Sequence, residues 1–170
     1  MIDGAETPMR RARAALRAGA AALLLALAAP GALACDNPPQ PQLPRSPLII
    51  DTAGGPQAFS VELARSEEEK SCGLMLRQRL GQGEGMLFQY QPPTEAYMWM
   101  ANTPIPLDML FIAPNGVIVF IAKGTVPFSR EIVGTSRPVA GVLEVRAGTV
   151  DRLGIKQGDR VRHSIFGIGP

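Results

Sequence analysis

Four acidic residues stand in or beside apolar, strand-forming stretches of this 170-residue chain: Glu62, Glu84, Asp108 and Glu144. Two carboxyl groups that meet in one cleft can act as general acid and general base, as in the hydrolysis of glycosidic bonds. Glu62, Asp108 and Glu144 are therefore the weak candidates for catalytic residues, since any acids on neighbouring strands would fit this pattern.

The stretch YMWMANTPIPLDMLF, residues 97–111, places Asp108 among apolar side chains. A buried carboxylate needs hydrogen-bond donors or a cation. We expect Arg77, or the backbone of the turn at residues 103–106, to supply them. Asn102 and Asp108 then fix a proline-rich turn, and the core is filled by Trp99, Met100 and Met109.

The alternative interpretation makes the same stretch a ligand site. A binding module needs a concave, largely apolar surface with a few fixed polar groups. The candidate ligand-binding residues are Trp99, Asn102, Thr103, Asp108 and Arg77. The ligand would be a small molecule, a glycan or another protein of the cell envelope.

Metal and cofactor chemistry has little support in the composition. Two Cys and one His cannot form a structural zinc site by themselves. Met98 and Met100 could bind Cu(I) through their thioethers, but alternation along a strand puts both on one face, which fits core filling equally well. His163 lies near a strand end and is more typical of a rim or core residue than of a catalytic base. We expect neither a metal nor a cofactor.

Residues 1–34 have the features of a signal peptide that is removed on export. Four Arg precede the apolar segment, and Ala32-Leu33-Ala34 is a typical cleavage site. The sequence therefore predicts a periplasmic or secreted protein whose mature chain begins at Cys35. A Cys at this position leaves open a lipoprotein, anchored to the membrane through an acylated Cys35.

The charge balance argues against nucleic acid as a partner. The chain holds 17 basic and 15 acidic residues, and residues 1–34 hold four Arg, one Asp and one Glu of these, which leaves 13 of each sign. A neutral mature protein lacks the excess of Lys and Arg that phosphate neutralisation requires.

The two cysteines, Cys35 and Cys72, could pair in an oxidising compartment. The simpler interpretation is that they do not form a disulfide. Cys35 would lie at a disordered or acylated terminus, and Cys72 would be a small buried apolar residue at a helix end.

The mature chain reads as a Pro-rich linker at residues 35–47 followed by a single domain at residues 48–170. The stretches LIIDT and AFSVEL predict one hairpin, and LDMLFIAPNGVIVFIA predicts a second one around Asn115-Gly116. MLFQY, AYMWM, AGVLEVRAG and DRVRHSIF predict further strands. Ser66 and Glu69 form a capping box for one helix, and a second short helix begins near Thr149. The predicted fold class is mainly β, a small antiparallel barrel-like domain with one or two short helices.

Three motifs carry a resemblance to a known family. They are VELARSEEEKSCGLMLRQRLGQGEGMLFQY, YMWMANTPIPLDMLFI and GVLEVRAGTVDRLGIKQGDRV. In this order they resemble the family called domain of unknown function 192, over about residues 59–163. The matching positions are Glu62, Gly73, Leu74, Met75, Arg77, Glu84, Gly85, Met86, Trp99, Met100, Asn102, Thr103, Pro106, Leu107, Asp108, Leu143, Glu144, Gly154, Gly158 and Asp159.

The resemblance implies a prokaryotic, often secreted protein without an agreed reaction. Two positions depart from the family pattern. Ala101 stands where the family usually has a basic residue, and Cys72 stands where it often has Arg. Both departures remove cations, so they weaken any proposal of anion binding for this member. We favour a non-catalytic binding or accessory module of the cell envelope, with a glycan-directed hydrolase as the alternative.

Overall fold

Runs of β-branched and aromatic residues, separated by Gly, Pro and Asn, form one mainly antiparallel sheet. The computed structural model describes Cys35 and residues 39–170. In this part of the chain seven strands lie in the order β5-β4-β6-β3-β2-β1-β7, and the sheet is curled into a half-barrel. The strands are β1 (Arg45–Thr52), β2 (Gly55–Ala64), β3 (Glu84–Met98), β4 (Leu107–Ile112), β5 (Ile118–Ala122), β6 (Val133–Arg146) and β7 (Arg160–Arg162). The predicted fold class is confirmed.

The helices are short and begin where the sequence predicts. α1 (Glu67–Cys72) starts with the capping box: Ser66 Oγ accepts from the Glu69 amide, and the Glu69 carboxylate accepts from the Ser66 amide. α2 (Thr149–Leu153) follows β6, and a turn of 3-10 helix lies at Ser164–Phe166. No helix in residues 39–170 combines the length and apolar character needed to cross a membrane.

Both predicted hairpins are confirmed. β1 pairs antiparallel with β2, and β4 pairs antiparallel with β5. Gly116 has a φ of +81°, which the turn between β4 and β5 requires. Residues other than glycine rarely adopt this backbone conformation. At the far edge, β7 pairs with β1, and Val117 forms a bridge to Arg160. The two edges of the sheet therefore meet at one end.

Residues 84–98 form one strand rather than the two that the sequence predicts. β3 runs through Pro92 and Pro93, because the register with β6 shifts between Gln89 and Thr94 and no ladder partner is required of the prolines there. Trp99 lies just beyond the end of this strand. Strand β1 likewise begins at Arg45, inside the stretch interpreted as a linker.

Two apolar clusters lie on opposite faces of the sheet. The first takes residues from every strand and from α2, including Leu48, Leu87, Leu110 and Leu143. The second lies against the segment that follows α1 and includes Leu74, Met86, Met100 and Met109. Met100 and Met109 thus fill the core as predicted.

A disulfide joins Cys35 to Cys72, which corrects the expectation that the two residues stay apart. It ties the start of the predicted mature chain to the last residue of α1. Gln40 reinforces the attachment, since its Nε2 donates to the Gly73 carbonyl at 2.6 Å. A sulfur engaged in this bond cannot carry the thioether of a lipoprotein anchor.

We expect the double substitution Cys35→Ser with Cys72→Ser to lower the free energy of unfolding by about 2–4 kcal/mol. The disulfide spans 37 residues and restricts the unfolded chain. Denaturant unfolding of the variant beside the wild type measures the loss. In the unfolded, non-reduced wild type, an alkylating reagent should modify neither sulfur, and modification of both would contradict the pairing.

Candidate functional site

Three of the candidate carboxylates can be placed by the register of the sheet. Met86 of β3 pairs with Glu62 of β2 on one side and with Glu144 of β6 on the other. Because paired residues project to the same face, both acids belong to the face that carries the second apolar cluster. Asp108, one residue before Met109 of this row, projects from the opposite face of β4.

Glu62 is buried and fully paired. Its Oε2 lies 3.1 Å from Arg77 Nη2 and accepts the Leu43 amide at 2.8 Å, and Arg45 lies 3.9 Å from Oε1. Arg77 also donates to the carbonyl of Gln40 at 3.3 Å. The cation predicted for Asp108 therefore belongs to Glu62. A cavity of about 540 Å³ lies beside this ion pair.

Asp108 is buried as predicted, but its partners differ from those expected. Its Oδ1 accepts the Gly124 amide and its Oδ2 accepts the Val150 amide, both at 2.9 Å. Asp108 thus joins the loop after β5 to the first turn of α2. Both oxygens are used by backbone amides, so this carboxylate is a structural fastener between distant segments.

The Asn102-Thr103 turn carries unusual backbone geometry. In residues 39–170 three residues other than Gly have positive φ values: Leu76 at 61°, Asn102 at 55° and Phe128 at 61°. The Leu76 amide donates to the Asn102 carbonyl at 2.7 Å, and the Phe128 amide donates to the Thr103 carbonyl at 3.1 Å. Strained residues of this kind persist where surrounding contacts hold them and are frequent at functional sites.

Trp99, directly before this turn, is 51% exposed, so the prediction that it fills the core is wrong. Met98 and Met100 on either side of it are buried, as the alternation of a strand requires. Their sulfurs accept hydrogen bonds from Tyr90 and Thr125. Among the described residues no cluster of His, Cys, Asp and Glu has the arrangement of a metal site.

A cavity of about 360 Å³, here called the Glu144 cavity, opens beside the turn. α1 and the segment after it form one wall, and β3 forms another. Trp99 and Thr103, in the segment that follows β3, also line the cavity, and Glu144 reaches it from β6. The lining residues are Glu67, Lys70, Ser71, Cys72, Gly73, Leu74, Met75, Phe88, Tyr90, Glu95, Ala96, Tyr97, Met98, Trp99, Thr103 and Glu144.

The Glu144 carboxyl is the unusual group in this cavity. Glu144 is 4% exposed, and its backbone lies between β3 and β4, so its side chain is the part that meets the cavity. No hydrogen bond or salt bridge joins its carboxyl group to residues 39–170, and its oxygens are not among the fully buried atoms of this part of the chain that lack a partner, which fits oxygens that open into the cavity. Burial raises the pKa of Glu144 to about 8.

Gly85 lets the backbone of β3 pack closely against β6 beside Glu144. A Cβ on Gly85 would lie 2.7 Å from the carbonyl oxygen of Glu144, closer than atoms can pack. The bare backbone of β3 therefore fits against β6 at the residue that carries the buried carboxyl.

The remaining walls of the Glu144 cavity are aromatic and acidic. Lys70 Nζ lies 2.6 Å from Glu67 Oε1 and 5.0 Å above the ring of Tyr90. Burial, followed by the negative charges of Glu144 and Glu67, raises the pKa of Tyr90 to about 12. Tyr97 Oη donates to Glu95 at 2.6 Å.

Of the residues that the sequence singled out, Trp99, Thr103 and Glu144 line one cavity. Asn102, Arg77, Asp108 and Glu62 do not line it. Tyr90 and Lys70 were missed, because only the folded chain brings α1 over the end of β3. His163 is buried, with Nε2 2.8 Å from Ser46 Oγ, and Nδ1 accepts from the Ile165 amide, which suits a core residue.

The chain is similar to known proteins over this same domain. The model of the domain of unknown function 192 family, described as "Uncharacterized ACR", matches residues 48–163. A protein of unknown function from Novosphingobium aromaticivorans is 40% identical with a TM-score of 0.70, covering 71% of this chain and 86% of its own. A protein from Sinorhizobium meliloti, named as a candidate transcription regulator, is 40% identical with a TM-score of 0.71, covering 74% and 98%. No curated protein matches.

We expect Asp108→Ala to lower the free energy of unfolding by about 2–4 kcal/mol. The substitution leaves the amides of Gly124 and Val150 without an acceptor, and each stranded donor costs about 1–3 kcal/mol. Asp151→Ala is the matched control, since solvent screens its exposed pair with Lys123 and the loss should be much smaller. Denaturant unfolding compares the two, and equal losses would contradict the fastening role.

We expect Glu144→Gln to stabilise the protein increasingly as the pH rises. The folded pKa of about 8 lies above the ordinary 4.5, so the stability of the wild type is full below pH 4.5 and declines up to pH 8. The Gln variant lacks this decline. Its advantage should be near zero at pH 4.5 and should reach an order of 2–5 kcal/mol at pH 9.

Denaturant unfolding of both proteins from pH 4.5 to pH 9 measures the difference. Burial and then the charge of Arg65 lower the pKa of His163. That residue is common to both proteins, so its titration cancels. A difference that does not change with pH would show that Glu144 ionises at its ordinary pKa.

Proposed function

Because this chain belongs to the domain of unknown function 192 family, whose model defines no activity, we propose a function from its own side chains. The protein is an exported, non-catalytic binding module, and it takes a small polar molecule into the Glu144 cavity. The buried Glu144 carboxyl, which has no hydrogen-bond or ion-pair partner among residues 39–170, is the observation that carries this proposal.

A buried polar group without a partner lowers stability. Such groups are rare in folded proteins, and titratable ones with displaced pKa values concentrate at functional sites. A ligand that hydrogen-bonds to Glu144 would remove the penalty on binding. The loss of stability in the free protein then becomes binding energy in the complex.

The cavity also has the size and composition of a ligand site. Its volume of about 360 Å³ lies within the range of about 300–1,000 Å³ for small-molecule pockets. Tyr97 and Trp99 line it and are more than half exposed, so they stand at its rim. Aromatic rings at a rim offer flat apolar surface to an entering molecule.

Export is supported by two independent features. Residues 10–34 have the order of a cleavable signal peptide, and the disulfide at Cys35 is typical of oxidising compartments. We favour a soluble exported protein over a lipoprotein, since Cys35 cannot form both the disulfide and a lipid thioether. The absence of the disulfide, together with fatty acylation of the processed N-terminus, would reverse this choice.

One observation favours a second candidate, a glycan-directed hydrolase. With a pKa of about 8, Glu144 is protonated at neutral pH and could serve as a general acid. The mechanism also needs a second, free carboxylate across the substrate. Glu62 is held by Arg77, and Asp108 is held by two amides. Of the other acids that line the cavity, Glu67 is paired with Lys70, and Glu95 accepts a hydrogen bond from Tyr97 Oη at 2.6 Å. Binding therefore has the stronger support.

The single Trp of the chain provides a direct test. A panel of small neutral, cationic and anionic molecules is titrated into the purified protein while the fluorescence of Trp99 is followed. We expect saturable changes with some members. Ser71→Phe, at a lining residue, should abolish these changes, and Ser136→Phe, at an exposed residue outside the cavity, should not.

Two results would contradict the proposed binding function. If no molecule gives a saturable change, or if Ser71→Phe binds as the wild type does, the Glu144 cavity is not a binding site. Release of reducing sugar from glycan substrates by the wild type, lost in Glu144→Gln, would favour the hydrolase instead.

A further inference from the structure

The charges around the Glu144 cavity are unbalanced. Three carboxyl groups line it, from Glu67, Glu95 and Glu144, against one cation, Lys70. Lys70 is already paired with Glu67 at 2.6 Å. Glu95 and Glu144 therefore remain without a cation among the residues that line the cavity.

The apolar part of the lining is rich in aromatic rings. Phe88, Tyr90, Tyr97 and Trp99 all line the cavity. The electron-rich faces of such rings attract cations at distances up to about 6 Å. Lys70 Nζ, 5.0 Å from the centre of the Tyr90 ring, shows that this wall accommodates one already.

We propose that the ligand of the Glu144 cavity is an organic cation, a primary or secondary ammonium compound. Its N–H groups donate to the Glu144 carboxylate, and its carbon skeleton lies against Trp99. This inference rests on the proposed function and specifies the chemical class of the molecule bound.

The alternatives fit the lining less well. An anion would meet three carboxyl groups and one lysine that is already paired with Glu67. A neutral sugar could accept a hydrogen bond from protonated Glu144. A sugar carries no positive charge to balance the excess of carboxyl groups around the cavity.

Binding of a cation includes a proton transfer that can be measured. On binding, the Glu144 carboxyl releases its proton to the buffer, and the carboxylate then pairs with the ammonium group. Affinity should therefore rise by roughly tenfold per pH unit below pH 8 and level off above it. The other titratable side chains that line the cavity are Glu67, Lys70, Tyr90, Glu95 and Tyr97. Burial raises the pKa of Tyr90 to about 12, above this pH range, and the hydrogen bond to Glu95 raises the pKa of Tyr97.

Three matched probes test the class of ligand. They are 3-phenylpropylamine, the neutral 3-phenylpropanol and the anionic 3-phenylpropionate, each titrated against Trp99 fluorescence from pH 6 to pH 8.5. An alkylamine keeps its proton here, since its pKa is near the value of about 10.4 for lysine. We expect the amine to bind at least tenfold more tightly than the alcohol at pH 8, and the acid to bind weakest.

Two variants separate Glu144 from the general acidity of the cavity. Glu144→Gln should lose most of the affinity for the amine and all of its dependence on pH. Glu95→Gln removes one charge at the rim. It should lower the affinity for the amine by a few-fold and leave the pH dependence of binding unchanged. Equal effects of the two variants would make Glu144 one contributor to a diffuse field and overturn its role as the partner.

The two proposals fail in different ways. If alcohol and amine bind alike without pH dependence, the cavity binds ligands but the cation inference is wrong. The cation inference is also wrong if, in the panel of small molecules described under the proposed function, only the neutral members bind. If neither the three probes nor the panel gives a saturable change, both proposals fail.

Discussion

The pairing of β6 with β3 on one side and β4 on the other is the constraint from which the rest of the structure follows. This register aligns Glu144 with Met86 and Met109, on the face of the second apolar cluster. A shift of one residue would move every side chain of β6 to the opposite face. The sheet therefore keeps a carboxyl group in an apolar setting for as long as its two central ladders are intact.

Three buried acids of the same domain show how environment decides the use of a carboxyl group. Glu62 has cations, and Asp108 has backbone amides. Both are compensated inside the protein, which gives them structural roles. Glu144 has neither among the described residues, and its side chain meets a cavity. None of the described residues compensates this third acid, and that distinguishes Glu144, a candidate ligand contact, from the two structural acids.

Local signals predicted much of the fold. The Asn115-Gly116 turn and the Ser66 capping box each depend on residues a few positions apart, so both could be read from sequence. The partners of Asp108 are 16 and 42 residues away, and the disulfide spans 37. Such contacts depend on tertiary packing, which the order of residue types does not reveal. The prediction that Trp99 fills the core was wrong because apolar neighbours in the sequence, such as Met98 and Met100, are equally compatible with a core residue and with a residue at the rim of a cavity.

The edge of the sheet at β7 has a consequence for the order of folding. β1 lies early in the sequence, yet one of its edges pairs with β7, where Ile49 lies opposite Arg162 and Asp51 lies opposite Arg160. Ser46 of β1 likewise finds its hydrogen-bond partner in His163. Contacts so distant along the chain form slowly, and an open strand edge invites pairing with other molecules. A chain emerging N-terminus first leaves this edge of β1 unpaired until residues 160–162 are synthesised. β7 therefore covers an edge that would otherwise be open, and a chain truncated before Arg160 should aggregate more readily than the full sequence.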